Sequence, residues 1–96
     1  MTATTIPQDE TCVIILFSIH FVLKAEQLLK KASLAHDVIP VPRQISSDCG
    51  MALAFSCRDG ALVVGLLSDA AIRIAGLYQR QENGSYVGLD LPDGVS

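Results

Sequence analysis

The sequence has no tryptophan and carries few charged or aromatic residues. Only 18% of its 96 residues are charged and 5% are aromatic, whereas 50% are hydrophobic. Soluble domains usually hold about 25% charged residues. We therefore expect part of the apolar surface to lie in a contact between subunits. A chain this apolar is not disordered by composition, and its length suits one small domain with a single core.

The chain also lacks a surplus of basic residues and a long apolar run. Its formal net charge is −3 and its pI is about 5.1, which argues against the binding of a nucleic-acid backbone as its main role. The apolar run 13–17 follows acidic residues and is too short for a signal sequence or a membrane span. We expect neither nucleic acid nor membrane as a partner, and a cytoplasmic location.

Cysteines are few and show no ligand spacing. The three residues Cys12, Cys49 and Cys57 are odd in number and form no C-x-x-C or Cys/His pattern, so they predict neither a disulfide framework nor a metal site. Cys12 begins a predicted strand and is expected in the core. Cys57 ends another strand, roughly 20 Å along an extended chain from Cys49, so these two sulfurs are not expected to bond.

Hydrophobic periodicity and turn residues divide the chain into a leader at 1–11, one domain at 12–80 and a tail at 81–96. The predicted strands are 12–18, 38–42, 50–56 and 72–79, the predicted helices are 19–33 and 60–70, and the tail could add a short strand at 86–89. Segment 61–67 is apolar nearly all round, and its β-branched residues and Gly65 leave a strand as the competing interpretation. Pro40 and Pro42 place the second strand at a sheet edge.

The order β-α-β-β-α-β with right-handed crossovers predicts an α+β fold of the ferredoxin-like, split βαβ type. It would have a four-stranded antiparallel sheet, with strands one and three central and two helices on one face. The other face would show Ala52 and Ala54 beside either set of first-strand residues, all apolar. We therefore predict a homo-oligomer formed through that face or the second helix; the alternative is a monomer whose tail covers the patch.

The densest cluster of functional side chains lies in the predicted loop 43–50. A cysteine is a nucleophile as its thiolate, which neighbouring cations and hydrogen-bond donors favour. Arg43 could supply the cation beside Cys49, and Ser46 and Ser47 could supply the hydrogen-bond donors. Gly50 would let a partner approach the sulfur. Asp48 acts in the opposite direction, since a carboxylate raises a thiol pKa. From the residues alone, an ordinary capped turn with an incidental cysteine remains the alternative.

Two histidines are the other titratable candidates. His20 lies in the first turn of the first helix, where it could act as a base but is more simply a surface residue. His36 is expected with Asp37 in the loop before the second strand, as part of a turn. Neither belongs to a metal-ligand set, a phosphate-binding loop or a catalytic triad pattern.

The segment Ile39-Pro-Val-Pro-Arg43, followed by Ser46-Ser-x-Cys-Gly50 and an apolar strand ending at Phe55, resembles a small bacterial family described as Putative Se/S carrier protein-like. The first helix, with Lys24-Ala-Glu-x-x-Leu29, also fits that family. The resemblance implies that Cys49 carries sulfur or selenium as a persulfide or selenopersulfide.

The carrier that this resemblance implies would receive its cargo from a desulfurase-type donor and pass it to an acceptor protein. It would be a carrier rather than an enzyme with turnover, and we expect no cofactor. The alternative is a non-catalytic module for small-ligand binding or oligomerisation, which rests on fold analogy.

Overall fold

Five strands and two α-helices make up the computed structural model, which describes residues 11–45 and 50–89. The elements are β1 (Thr11–Leu16), α1 (Ile19–Lys31), β2 (His36–Pro40), β3 (Met51–Ser56), a 3₁₀ turn (Cys57–Asp59), α2 (Gly60–Asp69), β4 (Ile74–Arg80) and β5 (Tyr86–Gly88). Segment 61–67 is helical, so the competing strand interpretation is wrong. Neither helix has the length and apolarity needed to cross a membrane.

The strands form one antiparallel sheet in the order β2-β3-β1-β4-β5. The α+β class, the interior positions of β1 and β3 and the edge position of β2 are confirmed. The predicted four-stranded ferredoxin-like sheet is corrected to five strands, because β5 pairs with β4 through Gln79 and Val87. An Asn-Gly turn makes this pairing possible: Ser85 N donates to Asn83 Oδ1 at 2.9 Å, and Gly84 has a φ of +89°.

Most strand boundaries differ from the prediction by one or two residues. β1 starts at Thr11, the last residue of the predicted leader, and ends at Leu16, so Phe17 lies outside it. β2 starts at His36 rather than Val38, because the ladder to β3 pairs His36 with Phe55. Leader residues 1–10 and tail residues 90–96 lie outside the described residues.

The main core lies between the sheet and both helices. As the alternation in β3 predicts, Leu53 and Phe55 point into this core, whereas Ala52 and Ala54 point to the opposite face. Buried residues of the core come from every large element: Cys12, Ile14, Leu16, Val22, Ala25, Leu29, Leu53, Phe55, Val63, Val64, Leu67, Ile72 and Ile74. The two helices therefore share one face of the sheet, as predicted.

The opposite sheet face holds a second, smaller apolar cluster. Val13, Ala52 and Ala54 form its buried centre. Partly buried side chains pack around that centre, namely Ile15, Ile39, Val41, Ile45 and Tyr86. The outward set of β1 is thus the one that begins with Val13, and its centre is covered within the chain itself.

The helix ends follow local capping rules. Ser18 caps α1, its hydroxyl accepting from Phe21 N at 3.4 Å. Asp59 precedes α2, but its side chain makes no capping hydrogen bond. Helix α1 stops at Lys31, short of the predicted Ser33, because Ser33 has a φ of 58°. Backbone N–H groups of the following residues then bond back to the last turn.

His36 connects α1 to the edge of the sheet, rather than lying in a turn as predicted. Its Nδ1 is 2.8 Å from the carbonyl oxygen of Leu34, and its Nε2 is 3.5 Å from Glu26 Oε2. The side chain is nearly buried, at 10% exposure. These contacts give His36 a packing role between α1 and β2.

Candidate functional site

The candidate loop starts from a paired β2–β3 hairpin. Val41 N donates to Gly50 O at 2.9 Å, which extends the pairing of β2 and β3 beyond Pro40 and Met51. Ile45 N donates to Pro42 O at 2.9 Å and closes a turn. Ile45 is also partly buried in the apolar cluster of the opposite face. Ile45 and Gly50, which flank segment 46–49, are therefore held at the same end of the sheet.

The predicted site residues divide into two groups. Arg43 and Gly50 are both exposed at the two sides of this loop. Ser46, Ser47 and Cys49, with Asp48 between them, lie outside the described residues. A Cβ at Gly50 would meet Val41 Cγ2 at an ordinary 3.7 Å, so packing against the described residues does not require glycine at this position.

This loop lies at the end of the sheet where β1 ends and where α1 and β4 start. The register shows this, because Ile15 pairs with Ala52 and Leu16 pairs with Ile74. Two residues that sequence reasoning missed meet here: the Arg73 guanidinium carbon is 5.6 Å from the centroid of the Phe17 ring. Phe17 is 62% exposed, so this pair offers an apolar and cationic surface.

The signal for Phe17 was present in the sequence, since a cap at Ser18 leaves Phe17 between strand and helix. No local signal indicates Arg73, because its meeting with Phe17 needs the pairing of β1 with β4. His20 is exposed on the first turn of α1, as predicted, and its ring lies edge-on to Phe21 at 5.6 Å. Within the described part of the chain, this contact gives His20 no partner for a role as a base.

The opposite end of the sheet holds a disulfide between Cys12 and Cys57, whose Cα atoms are 5.0 Å apart. The expectation that the cysteines form no disulfide framework is therefore wrong for this pair, although Cys12 is buried as predicted. Thr11 pairs with Ser56, so the start of β1 meets the residue that follows β3. The predicted adjacency of strands one and three is thus correct, but the bond also depends on their register, which the sequence did not predict.

Comparison with known families places the loop in context. The family model described as Putative Se/S carrier protein-like matches residues 11–79, from the start of β1 to the penultimate residue of β4. The matched range spans the whole Arg43–Gly50 loop. No curated protein matches the chain, and no solved structure does. Since the match covers well over half of the sequence, the chain belongs to the Se/S carrier protein-like family.

Proposed function

We propose that this protein carries sulfane sulfur or selenium on Cys49, as a persulfide or selenopersulfide. Membership of the Se/S carrier protein-like family across residues 11–79 is the observation that carries this proposal. The exposure of Arg43 and Gly50 supports it, because a carrier must present its cargo to other proteins.

Loading is a transfer of a sulfane atom between two cysteines. The Cys49 thiolate attacks the outer sulfur of a donor persulfide, the new S–S bond forms on Cys49, and the donor leaves as its thiolate. In the second step an acceptor thiolate attacks the outer sulfur of the Cys49 persulfide, and Cys49 is released as a thiolate. Neither step consumes an oxidant or a reductant, and both partners are proteins: a desulfurase-type donor and an acceptor.

The neighbours of Cys49 in the chain have proposed roles in these steps. Arg43 favours the thiolate by its charge, and Ser46 and Ser47 donate hydrogen bonds to it. Gly50 leaves the sulfur open to a bulky partner, a role supported by the finding that packing against the described residues does not require glycine there. The protein acts as a carrier in the cytoplasm, without turnover of its own.

Mass spectrometry after incubation with a cysteine desulfurase and cysteine tests the proposal. We expect the mass of one added sulfur atom on the peptide that contains Cys49, and its loss in Cys49→Ser. Cys57→Ser is the matched control, because it removes a cysteine at the other end of the sheet and should keep the adduct on Cys49. An adduct that persists in Cys49→Ser, or no adduct on any cysteine, contradicts the proposal.

A second variant separates loop chemistry from folding. Gly50→Ala adds a methyl group that the described residues around it accommodate, so we expect its unfolding midpoint in urea to stay unchanged while transfer to the acceptor slows. If Gly50→Ala transfers sulfur at the wild-type rate, Gly50 does not provide access to the sulfur.

A further inference from the structure

The Cys12–Cys57 disulfide forms part of the wall of an open cleft of about 560 Å³. The cleft lies between α2 and strands β1 and β4, at the end of the sheet remote from the Arg43–Gly50 loop. Its volume is within the range of sites that bind small molecules. A disulfide in the wall of such a cleft is open to attack by a thiolate that binds there.

The walls of the cleft are mainly apolar. Helix α2 contributes small residues, Gly60, Ala61 and Gly65, which leave room beside the helix. Leu77 and Leu89 also line the cleft. Among the described lining residues Asp69 is the only one with a charge. An anion entering the cleft would lose hydration and gain no cation there, so the cleft favours an uncharged ligand.

We propose that this cleft binds a small uncharged thiol and that Cys57 exchanges its disulfide bond with that thiol. Cys57 is the sulfur open to attack, because Cys12 is only 3% exposed whereas Cys57 is half-buried. This site is separate from the proposed carriage of sulfur, since β3 separates Cys57 from Gly50 by six residues, or about 20 Å.

The exchange proceeds in two balanced steps. The thiolate of the ligand attacks Cys57 Sγ, so that a mixed disulfide forms on Cys57 while the Cys12–Cys57 bond breaks. The electron pair leaves on Cys12 Sγ, which takes up a proton. A second thiol then attacks the mixed disulfide, releases the oxidised ligand and leaves Cys57 as a thiol. Overall two thiols of the ligand are oxidised and one protein disulfide is reduced.

Reversible exchange also agrees with the expected compartment. Disulfides are rare in a reducing cytosol, and those that occur there are usually transient or redox-sensing. A pair that opens and closes with a thiol ligand satisfies this rule, whereas a permanent structural crosslink does not.

Thiol exchange in the Cys49→Ser background tests the proposal, because only the Cys12–Cys57 pair then reacts. The probes are benzyl mercaptan, which is uncharged and apolar, and 2-mercaptoethanesulfonate, which is anionic, compared at equal thiolate concentration. Iodoacetamide traps the released thiol, and peptide mass spectrometry locates it. We expect benzyl mercaptan to react about tenfold faster, from burial of its ring in the cleft, and its adduct to lie on Cys57.

Two substitutions at Gly65 sharpen the test. A Cβ at Gly65 meets no atom of residues 11–45 or 50–89 within 4 Å, so both Gly65→Leu and the matched control Gly65→Ala should fold, with higher helix propensity than glycine. Leucine fills the cleft and should remove the preference for benzyl mercaptan, while alanine should retain it.

Three outcomes would overturn the proposal: equal rates for both probes, an unchanged preference in Gly65→Leu, or two free thiols in Cys49→Ser after equilibration with oxidised glutathione.

Discussion

Single residues with unusual backbone or close contacts give the most direct predictions for this protein. Ser33 and Ala71 each follow a helix and have φ values of 58° and 60°. Both lie in the left-handed region, where a Cβ is unfavourable and glycine is preferred. The helices end there nevertheless, because the N–H groups of Ala71 and Ile72 bond to Ser68 O and Leu67 O at 3.0 and 2.9 Å.

We expect Ala71→Gly to raise the free energy of unfolding by up to about 1 kcal/mol, since glycine adopts this φ without a steric cost. Ala71 is exposed, so little packing is lost. Urea unfolding measures the change. Ala61→Gly is the control, because the same change at an exposed position inside α2 should lower stability by about 1 kcal/mol. Equal losses in both variants would contradict the backbone argument.

Gly76 on β4 is in a different situation, because a neighbouring side chain occupies the space beside it. A Cβ at Gly76 would lie 2.8 Å from Tyr78 Cε1, closer than side-chain atoms approach each other. The Tyr78 ring also lies 3.7 Å from the Cβ position of Gly88. The ring of Tyr78 thus covers two glycines on paired strands.

We expect Gly76→Ala to lower the free energy of unfolding by about 1 kcal/mol, because the Tyr78 ring must turn away. The double variant with Tyr78→Ala should recover part of this loss, since the ring is then absent. Urea unfolding of the two single variants and the double variant gives the coupling energy. Additive losses would show that contact with the Tyr78 ring is not the reason why Gly76→Ala lowers the free energy of unfolding.

At the level of elements, the disulfide ties the start of β1 to the turn that precedes α2. It closes a loop across a sequence separation of 45 residues, which contains α1, β2 and β3. Crosslinks over long loops restrict the unfolded chain most strongly. The pairing of β1 with β3 already brings the two cysteines together, so the fold does not depend on the bond for its topology.

We expect reduction of the Cys12–Cys57 disulfide to lower the free energy of unfolding by about 2–4 kcal/mol while the protein stays folded. The measurement is urea unfolding of Cys49→Ser with and without dithiothreitol, so that no other cysteine changes state. The circular dichroism spectrum before unfolding checks that the reduced form keeps its helices and sheet. Identical midpoints in the two conditions would mean that the bond does not stabilise the fold.

For the whole molecule, the apolar side chains that stay exposed bear on assembly. The centre of the open sheet face, Val13 with Ala52 and Ala54, is buried within the chain. Helix α2 buries Val63, Val64 and Leu67 but leaves Leu62 60% exposed. Of the two surfaces predicted for assembly, α2 therefore has the clearer exposed apolar position.

We expect a homo-oligomer at micromolar concentration, and we expect Leu62→Asp to dissociate it, because burial of a carboxylate in an apolar contact is unfavourable. Sedimentation velocity measures both, and circular dichroism checks the fold of the variant. Gln27→Asp, a charge on an exposed position of α1, serves as the control and should leave the oligomer intact. A wild-type protein that sediments only as a 10.2 kDa species would contradict this prediction.

The sequence by itself determined the elements whose signals are local. Ser18 and the spacing of apolar residues placed the start of α1, and alternation in Met51–Ser56 assigned the two faces of β3 correctly. The string from Arg43 to Gly50 also indicated the candidate site and the family, because such a motif is a property of consecutive residues. These inferences depend on neighbours in the chain, and periodicity and capping report such neighbours directly.

Only the tertiary structure decided what depends on residues far apart in the chain. The disulfide joins residues 45 positions apart, Arg73 reaches Phe17 through the pairing of β1 with β4, and His36 belongs to β2 because Phe55 lies opposite it. The covering of Val13 within the chain and the cleft beside α2 likewise arise from packing between elements. Such contacts are set by register and by the free energy of the whole core, which no local pattern contains.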